Sequence, residues 1–141
     1  MPQTIRFRES IHTFQIDFNR HVSNIVYIQW MEIGRLKLLQ AVGLPVEQTD
    51  ADGYLPVLVE TRIIYKRPLF LGESVDIELW ISELSGVHAW MDFRFQNPAG
   101  DVVAEGKQKG IFLNLRTNRP RRLSESDRAI FLPYLVEPEN P

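Results

Sequence analysis

The chain has 141 residues, of which 44% are hydrophobic and 24% are charged, so its composition is typical of a globular domain and not of a disordered, collagen-like or coiled-coil chain. Its 16 Lys and Arg against 18 Asp and Glu give a net charge of -2, which lacks the basic field that nucleic-acid binders use, so no nucleic-acid partner is expected. The sequence has no cysteine, which excludes disulfides, a thiolate nucleophile and cysteine-ligated metal sites.

The first residues, MPQTIRFRES, lack the apolar core of a signal peptide. No segment approaches the roughly 18 uninterrupted apolar residues of a membrane span. Pro and Gly fall between periodic segments and do not form one long linker. We therefore expect a cytoplasmic protein with a single domain over 1–141 and no membrane span.

A first strand is predicted at about Ile5 to Ile16, although its pattern is weak. A helix is predicted over 23–42, where apolar residues recur at helical spacing, and Gly43 and Pro45 end it. Apolar residues cover most of the circumference of this helix, which predicts burial on several sides.

Alternating apolar and polar residues then predict strands at 56–66, 75–82 and 87–96, the last two joined as a hairpin by Ser85 and Gly86. A turn at 97–100 leads to a strand over 101–116. Its apolar positions change parity, which predicts a bulge or a bend near Gly106 to Gly110.

A short helix is predicted at 124–132. These elements predict an α+β fold in which an antiparallel sheet of about five strands wraps one long central helix.

The segment 17–24 carries the densest group of reactive side chains, between a strand and the start of the long helix. N–H groups in the first turn of a helix lack internal partners and can hold an oxyanion, and Ser23 or Asn24 begins that turn. Asp17, a few residues upstream, can act as a base or nucleophile toward a carbonyl held there. The alternative is structural: Asp17 and Asn19 as turn residues, Ser23 as a cap, His21 as a loop residue and Glu32 with Arg35 as a helical ion pair.

Three stretches resemble the 4-hydroxybenzoyl-CoA thioesterase branch of the hotdog-fold superfamily. The first, DFNRHVSNIVY, resembles the motif D-x-x-G-H-V-N-N-x-x-Y and is followed by E-x-x-R on the helix. The second, YKRPLFLGE, resembles Y-x-R-P-x-x-x-G-D/E, and the third is VAEG. They lie at 17–27 with Glu32 and Arg35, at 65–73, and at 103–106.

This resemblance implies a hotdog fold and hydrolysis of acyl-CoA to a carboxylic acid and CoA, without a metal or other cofactor. Asp17 would be the nucleophile or the general base, and the Asn24 backbone N–H would polarise the thioester carbonyl. The substrate would also contact His21, Ser23 and Tyr27. A homodimer whose sheets join edge to edge, or a homotetramer, is implied as well.

Coenzyme A carries phosphates, so Arg and Lys residues near a groove could bind it. The candidates are Arg62, Lys66, Arg67, Arg116, Arg119, Arg121 and Arg122, and we select Arg67 as the substrate-binding residue.

Two positions depart from the family motif: Arg20 stands where glycine is usual, and Ser23 replaces an asparagine. The alternatives are catalysis by Glu32 on the helix, an acyl carrier protein as the thioester's carrier, and a hotdog protein that binds acyl thioesters without turnover. A dehydratase is disfavoured, because the loop around His21 does not match the motif of those enzymes.

Overall fold

One antiparallel sheet and one long helix dominate the computed structural model, which describes residues 2–137. The helices and strands, in chain order, are β1 (Ile5–Ser10), α1 (Asn24–Ala41), α2 (Val46–Ala51), β2 (Tyr54–Tyr65), β3 (Ser74–Leu84), β4 (His88–Gln96), β5 (Val102–Asn114), β6 (Arg119–Arg121) and α3 (Glu125–Phe131). The strand order is β1-β3-β4-β5-β2, and the short β6 pairs with β5. The predicted α+β class, long helix, hairpin and C-terminal helix are confirmed.

The helix α1 lies on the inner face of the sheet and forms the centre of the core. Trp30 and Met31 are 1% and 0% exposed. The approach is close because two glycines leave room for it: a Cβ on Gly34 would lie 2.9 Å from a methyl of Leu79, and one on Gly106 would lie 2.7 Å from the Met31 methyl. None of the helices within residues 2–137 is long and apolar enough to cross a membrane.

One face of α1 stays open, so the predicted burial on several sides is wrong for the single chain. Ile25, Ile28 and Leu36 are 65%, 46% and 42% exposed. The sheet covers only the side of the helix that carries Trp30 and Met31.

The first strand is shorter than predicted and ends at Ser10. A single turn of 3-10 helix follows at Thr13–Gln15, and the Gln15 side chain accepts a hydrogen bond of 2.8 Å from the His12 N–H. This local bond turns the chain away from the ladder that would have continued the strand.

The extra residue predicted in β5 near Gly106 to Gly110 lies on the neighbouring strand β2 instead. The even-numbered residues of β5 from Ala104 to Phe112 face the helix without a change of parity, and Gln108 is fully buried among them. The extra residue is Val59 of β2, which lies opposite Lys109 and Gly110, and a second register shift lies at Val103 of β5 opposite β4.

The strand β2 forms one end of the sheet. It pairs with β5 along one side, and no other strand within residues 2–137 pairs with its second side. Its exposed apolar side chains include Val57, Val59 and Ile64. A long apolar edge of this kind favours pairing with another strand.

Candidate active site

The loop that carries Asp17 is closed by hydrogen bonds within itself. The Asp17 N–H donates to the His21 carbonyl and the Arg20 N–H donates to the Asp17 carbonyl, each over 3.0 Å. The Asn19 N–H donates to Asp17 Oδ1 over 2.8 Å, which is the turn that the structural alternative predicts. Asp17 Oδ2 accepts no hydrogen bond within residues 2–137, so one carboxylate oxygen is left for chemistry.

Arg20 adopts the left-handed backbone conformation, with φ of 69°. This explains why glycine is usual at this position of the motif, since a Cβ disfavours that conformation. The loop keeps its shape with arginine there and accepts the strain.

Two further hydrogen bonds fix the loop to its surroundings. The Val22 N–H donates to the Leu69 carbonyl and the Ser23 N–H donates to the Gln15 carbonyl, each over 2.9 Å. The His21 ring also packs edge-on against Phe70, with ring centroids 6.1 Å apart. The loop is therefore held against both the segment after β1 and the connection between β2 and β3.

The start of α1 presents a free hydrogen-bond donor. Ser23 has the extended backbone of an N-cap residue, but its side chain makes no capping bond. Asn24 is the first helical residue, is exposed, and its N–H has no acceptor within residues 2–137. This N–H lies at the positive end of the helix dipole, where a negatively charged oxygen is stabilised.

A groove of about 230 Å³ opens beside this donor, between the start of α1 and the end of β2. The predicted site residues His21, Asn24, Tyr27 and Arg67 all line it. Asp17 and Ser23 belong to the adjoining loop and do not line the groove. The predicted substrate contact of Ser23 stays a prediction.

Two tyrosines form the floor and the far wall of this groove. The Tyr27 ring packs edge-on against Tyr65, with centroids 5.1 Å apart, and the Tyr65 hydroxyl donates to the Asn24 carbonyl over 3.1 Å. Burial raises the pKa of Tyr27 to about 12, assisted by Tyr65 and Glu73, and burial also raises the pKa of Tyr65. Both hydroxyls therefore stay protonated at neutral pH and can act as hydrogen-bond donors.

Tyr65 is a site residue that was not predicted, although it begins the second motif stretch. Its contact with Asn24 joins residues that lie 41 positions apart. The presence of Tyr65 in the motif was the signal for a role at the site, but only the folded structure shows that its hydroxyl contacts Asn24.

Arg67 and Lys66 are the cations at the groove. Arg67 lies 3.4 Å from Asp101 and Lys66 lies 3.2 Å from Glu105, in exposed ion pairs that an incoming phosphate can exchange at little cost. Arg62 instead lies over the Trp90 ring and lines a cleft with Trp80, while Arg121 pairs with Asp127. The structure thus brings Lys66 and Arg67, from the predicted set of cations, to this site.

Glu32, the alternative catalytic residue, lies away from the groove. It is eight residues along α1 from Asn24, which is about 12 Å. Its carboxylate binds Arg35 over 2.7 Å and borders a second groove with Leu36 and Leu55. Within residues 2–137, no three His, Asp or Glu side chains are grouped so that they could bind a metal ion.

Comparisons with known proteins agree with this architecture. The family model of the Thioesterase-like superfamily matches residues 11–131. YneP of Bacillus subtilis (strain 168), whose proposed activity is that of an acyl-CoA thioesterase, is 29% identical over 67% of this chain and 68% of its own length. The chloroplast acyl-acyl carrier protein thioesterase ATL3 of Arabidopsis thaliana is 25% identical over 89% of this chain and 66% of its own.

A solved structure shares the whole fold. SAV2348 from Staphylococcus aureus, in complex with CoA, superposes with a TM-score of 0.89 at 16% identity, over 100% of this chain and 91% of its own. The present chain spans about two thirds of the curated relatives named above. The family match covers the loop, α1 and the sheet together, and on this evidence the chain belongs to the thioesterase-like superfamily and is a thioesterase of the hotdog fold.

Proposed function

We propose that this protein hydrolyses acyl-CoA thioesters to a free carboxylic acid and CoA, with Asp17 as the reacting carboxylate and the Asn24 N–H as the oxyanion donor. The observation that supports the proposal is the closed loop, because this one segment carries a carboxylate with one unused oxygen and leads directly into the unused N–H at the start of α1. An enzyme of this type needs both groups beside one carbonyl.

The thioester carbonyl would lie at the mouth of the groove, with its oxygen at the Asn24 N–H. Asp17 then acts in one of two ways. As a nucleophile it forms an acyl anhydride and releases the CoA thiolate, and water cleaves the anhydride. As a general base it takes a proton from water while that water attacks the carbonyl carbon. In both cases, the negative charge on the carbonyl oxygen is stabilised by the helix N-terminus.

CoA is the proposed carrier because Lys66 and Arg67 place two cations at the groove. The CoA bound by SAV2348, which shares this fold, and the proposed activity of YneP support the same choice. The similarity to ATL3 favours acyl carrier protein as the second candidate. Comparing one acyl group on both carriers distinguishes them, since the acyl pocket is shared and only the carrier contacts differ.

A homodimer is the proposed assembly, with a second copy pairing along the free edge of β2. That edge is twelve residues long and carries exposed apolar side chains, and the open face of α1 lies beside it. Joining two such edges in an isologous contact would cover both surfaces at once.

The first test replaces Asp17 with asparagine. We expect Asp17→Asn to lower kcat for an acyl-CoA by about 10²–10⁴-fold, because a neutral amide is neither a base nor a nucleophile. Thiol release from aromatic and C4 to C18 acyl-CoA esters measures this. Asp50→Asn, in the exposed helix α2, is the matched control and should retain full activity.

A second pair of variants tests the donor. Proline is tolerated at the first position of a helix, and Ser23 already has the extended backbone that precedes proline, with φ of -63° and ψ of 144°. Asn24→Pro thus removes the N–H alone, and kcat should fall, whereas Asn24→Ala should have little effect. Full activity in Asp17→Asn with loss in Glu32→Gln would contradict the proposal and move the chemistry to α1.

A further inference from the structure

Two side chains between α1 and the sheet carry buried polar atoms that the protein does not satisfy. Within residues 2–137, Nε and Nη1 of Arg35 and Oε1 of Gln108 are buried without a hydrogen-bond partner. Their other ends are engaged: Arg35 Nη2 donates to Glu32 over 2.7 Å, and Gln108 Nε2 donates to Thr61 over 3.3 Å. Such an unmet group costs about 1–3 kcal/mol, so three of them in one layer point to a polar group, from water or from a ligand, that satisfies them.

These atoms face the same part of the inner surface. Met31, one helical turn before Arg35, lies over Gly106. Arg35 itself shares a cavity with Met91 and Gly110. Gln108 is the inward residue between Gly106 and Gly110, and it pairs with Met91 across the sheet. Gln108 does not itself line that cavity but lies beside it, because its partner across the sheet, Met91, and the next inward residue of β5, Gly110, both do.

The cavity that Arg35 borders measures about 50 Å³, which is room for the end of a small chain and not for an aromatic ring. Apart from Arg35, its walls are apolar, and they include Leu38, Ile81, Met91, Phe112 and Phe131. A mostly apolar cavity with a few placed polar atoms is typical of a site that binds one end of an acyl group.

The unsatisfied atoms of Arg35 and Gln108 determine which functional group would fit at this end of the acyl group. The N–H groups of Arg35 need an acceptor, and Oε1 of Gln108 needs a donor. A hydroxyl group supplies both. A carboxylate does not, because it offers no proton to Gln108 and would add a buried charge where Glu32 already balances Arg35.

The open face of α1 runs from the start of the helix to Arg35, which borders both the second groove and the cavity. Asn24, Ile28, Glu32 and Leu36 follow one another at intervals of four residues and so line one side of the helix. Asn24 borders the first groove, while Glu32, Leu36 and Arg35 border the second. From Asn24 to Arg35 is eleven residues, or about 16 Å, which a medium-length aliphatic chain spans.

We infer that Arg35 and Gln108 form a specificity site for a hydroxyl group near the far end of an aliphatic acyl chain. This inference rests on the proposed function, since it takes the thioester carbonyl to lie at Asn24. The acyl chain follows the α1 face between the two grooves, and its terminal hydroxyl accepts from Arg35 and donates to Gln108.

The test compares each unmodified acyl-CoA from C8 to C16 with its ω-hydroxyacyl-CoA. In the wild type, the ratio of kcat/KM for the hydroxylated ester to that for the plain ester should peak at one chain length and exceed ten there. Gln108→Met, which removes the acceptor and keeps the side-chain shape, should bring that ratio close to one. Gln96→Met, at the end of β4, is the matched control and should keep the peak.

Binding separates this inference from the proposed function. The dissociation constants of both ester series, measured by calorimetry with Asp17→Asn, should show the same peak without any turnover. A ratio near one at every length, with plain esters hydrolysed, would mean that water alone fills the cavity and would overturn the inference while leaving the proposed function intact. An equal ratio in Gln108→Met and the wild type would also overturn it.

Discussion

Arg20 illustrates a conflict between backbone and side chain at the level of one residue. Its φ of 69° favours glycine, yet an arginine occupies this position in the loop that holds Asp17. Strain of this kind often accompanies a functional site. The energetic cost of arginine at this position can be measured by replacing it with glycine.

We expect Arg20→Gly to raise the free energy of unfolding by about 1 kcal/mol, because it removes the Cβ that opposes a left-handed backbone. The gain is reduced by the greater freedom of glycine in the unfolded chain. Urea unfolding followed by circular dichroism measures the change. Asn118→Gly, at φ of 57°, is the control and should gain less, since asparagine tolerates this conformation better. A less stable Arg20→Gly would show that the arginine side chain itself stabilises the loop.

Strand β5 shows that close packing between two elements can leave no periodic pattern in the sequence. Its inward positions include Gly106, Gln108 and Gly110, so the alternation of apolar residues predicted the wrong inward face for this part of the strand. These inward residues are glycine or glutamine because α1 packs closely against β5 and because the Arg35 side chain occupies the space beside Gly110. Hydrophobic periodicity reveals the inward face of a strand only where the inward residues are apolar. Where a helix packs so closely that these residues are glycine, the periodic pattern is lost.

Gly106→Val should destabilise the fold by about 1–3 kcal/mol, because even a Cβ would meet the Met31 methyl at 2.7 Å. Thermal unfolding measures the loss. Glu105→Val, the next residue on the outer face of the same strand, should change stability far less. A double-mutant cycle with Met31→Ala should show coupling between the two positions, and independent effects would contradict the close packing.

Much of the fold was predictable from local patterns. The central helix, the hairpin and the capped C-terminal helix each follow from signals within a few residues, such as the Ser124 and Asp127 capping box. At the site, the motif placed Asp17 and Asn24 in one loop and helix start. The ion pair of Glu32 with Arg35 also follows from their spacing on the helix. The contact of Tyr65 with Asn24 and the position of Arg35 beside the inward residues of β5 depend on distant segments, which no local pattern contains.

At the scale of the molecule, the single chain leaves one continuous surface uncovered. The free edge of β2 and the apolar residues Ile25, Ile28 and Leu36 of α1 both remain exposed. Long apolar edges are usually blocked by charge, proline or another strand. A second copy provides that strand in the proposed dimer.

We expect Val59→Lys to convert a dimer to monomers, because a lysine in the middle of the edge opposes its own copy across the dyad and prevents pairing. Light scattering after size-exclusion chromatography measures the mass. Leu132→Lys, an equally exposed apolar position outside the proposed contact, should leave the dimer intact. A wild-type protein that is monomeric at micromolar concentration, or a dimer unaffected by Val59→Lys, would contradict the assembly.

The three tryptophans divide between the two faces of the sheet, and this gives the protein a built-in optical probe. The Trp30 side chain, on α1, is enclosed between the helix and the sheet and packs edge-on against Tyr27, with centroids 5.3 Å apart. Trp80 and Trp90 lie half-buried on the outer face beside Arg94 and Lys107. A polar quencher such as iodide therefore reaches the outer pair and not Trp30. The emission that survives quenching comes from the residue next to the groove, so its wavelength follows the filling of the groove in real time without any label.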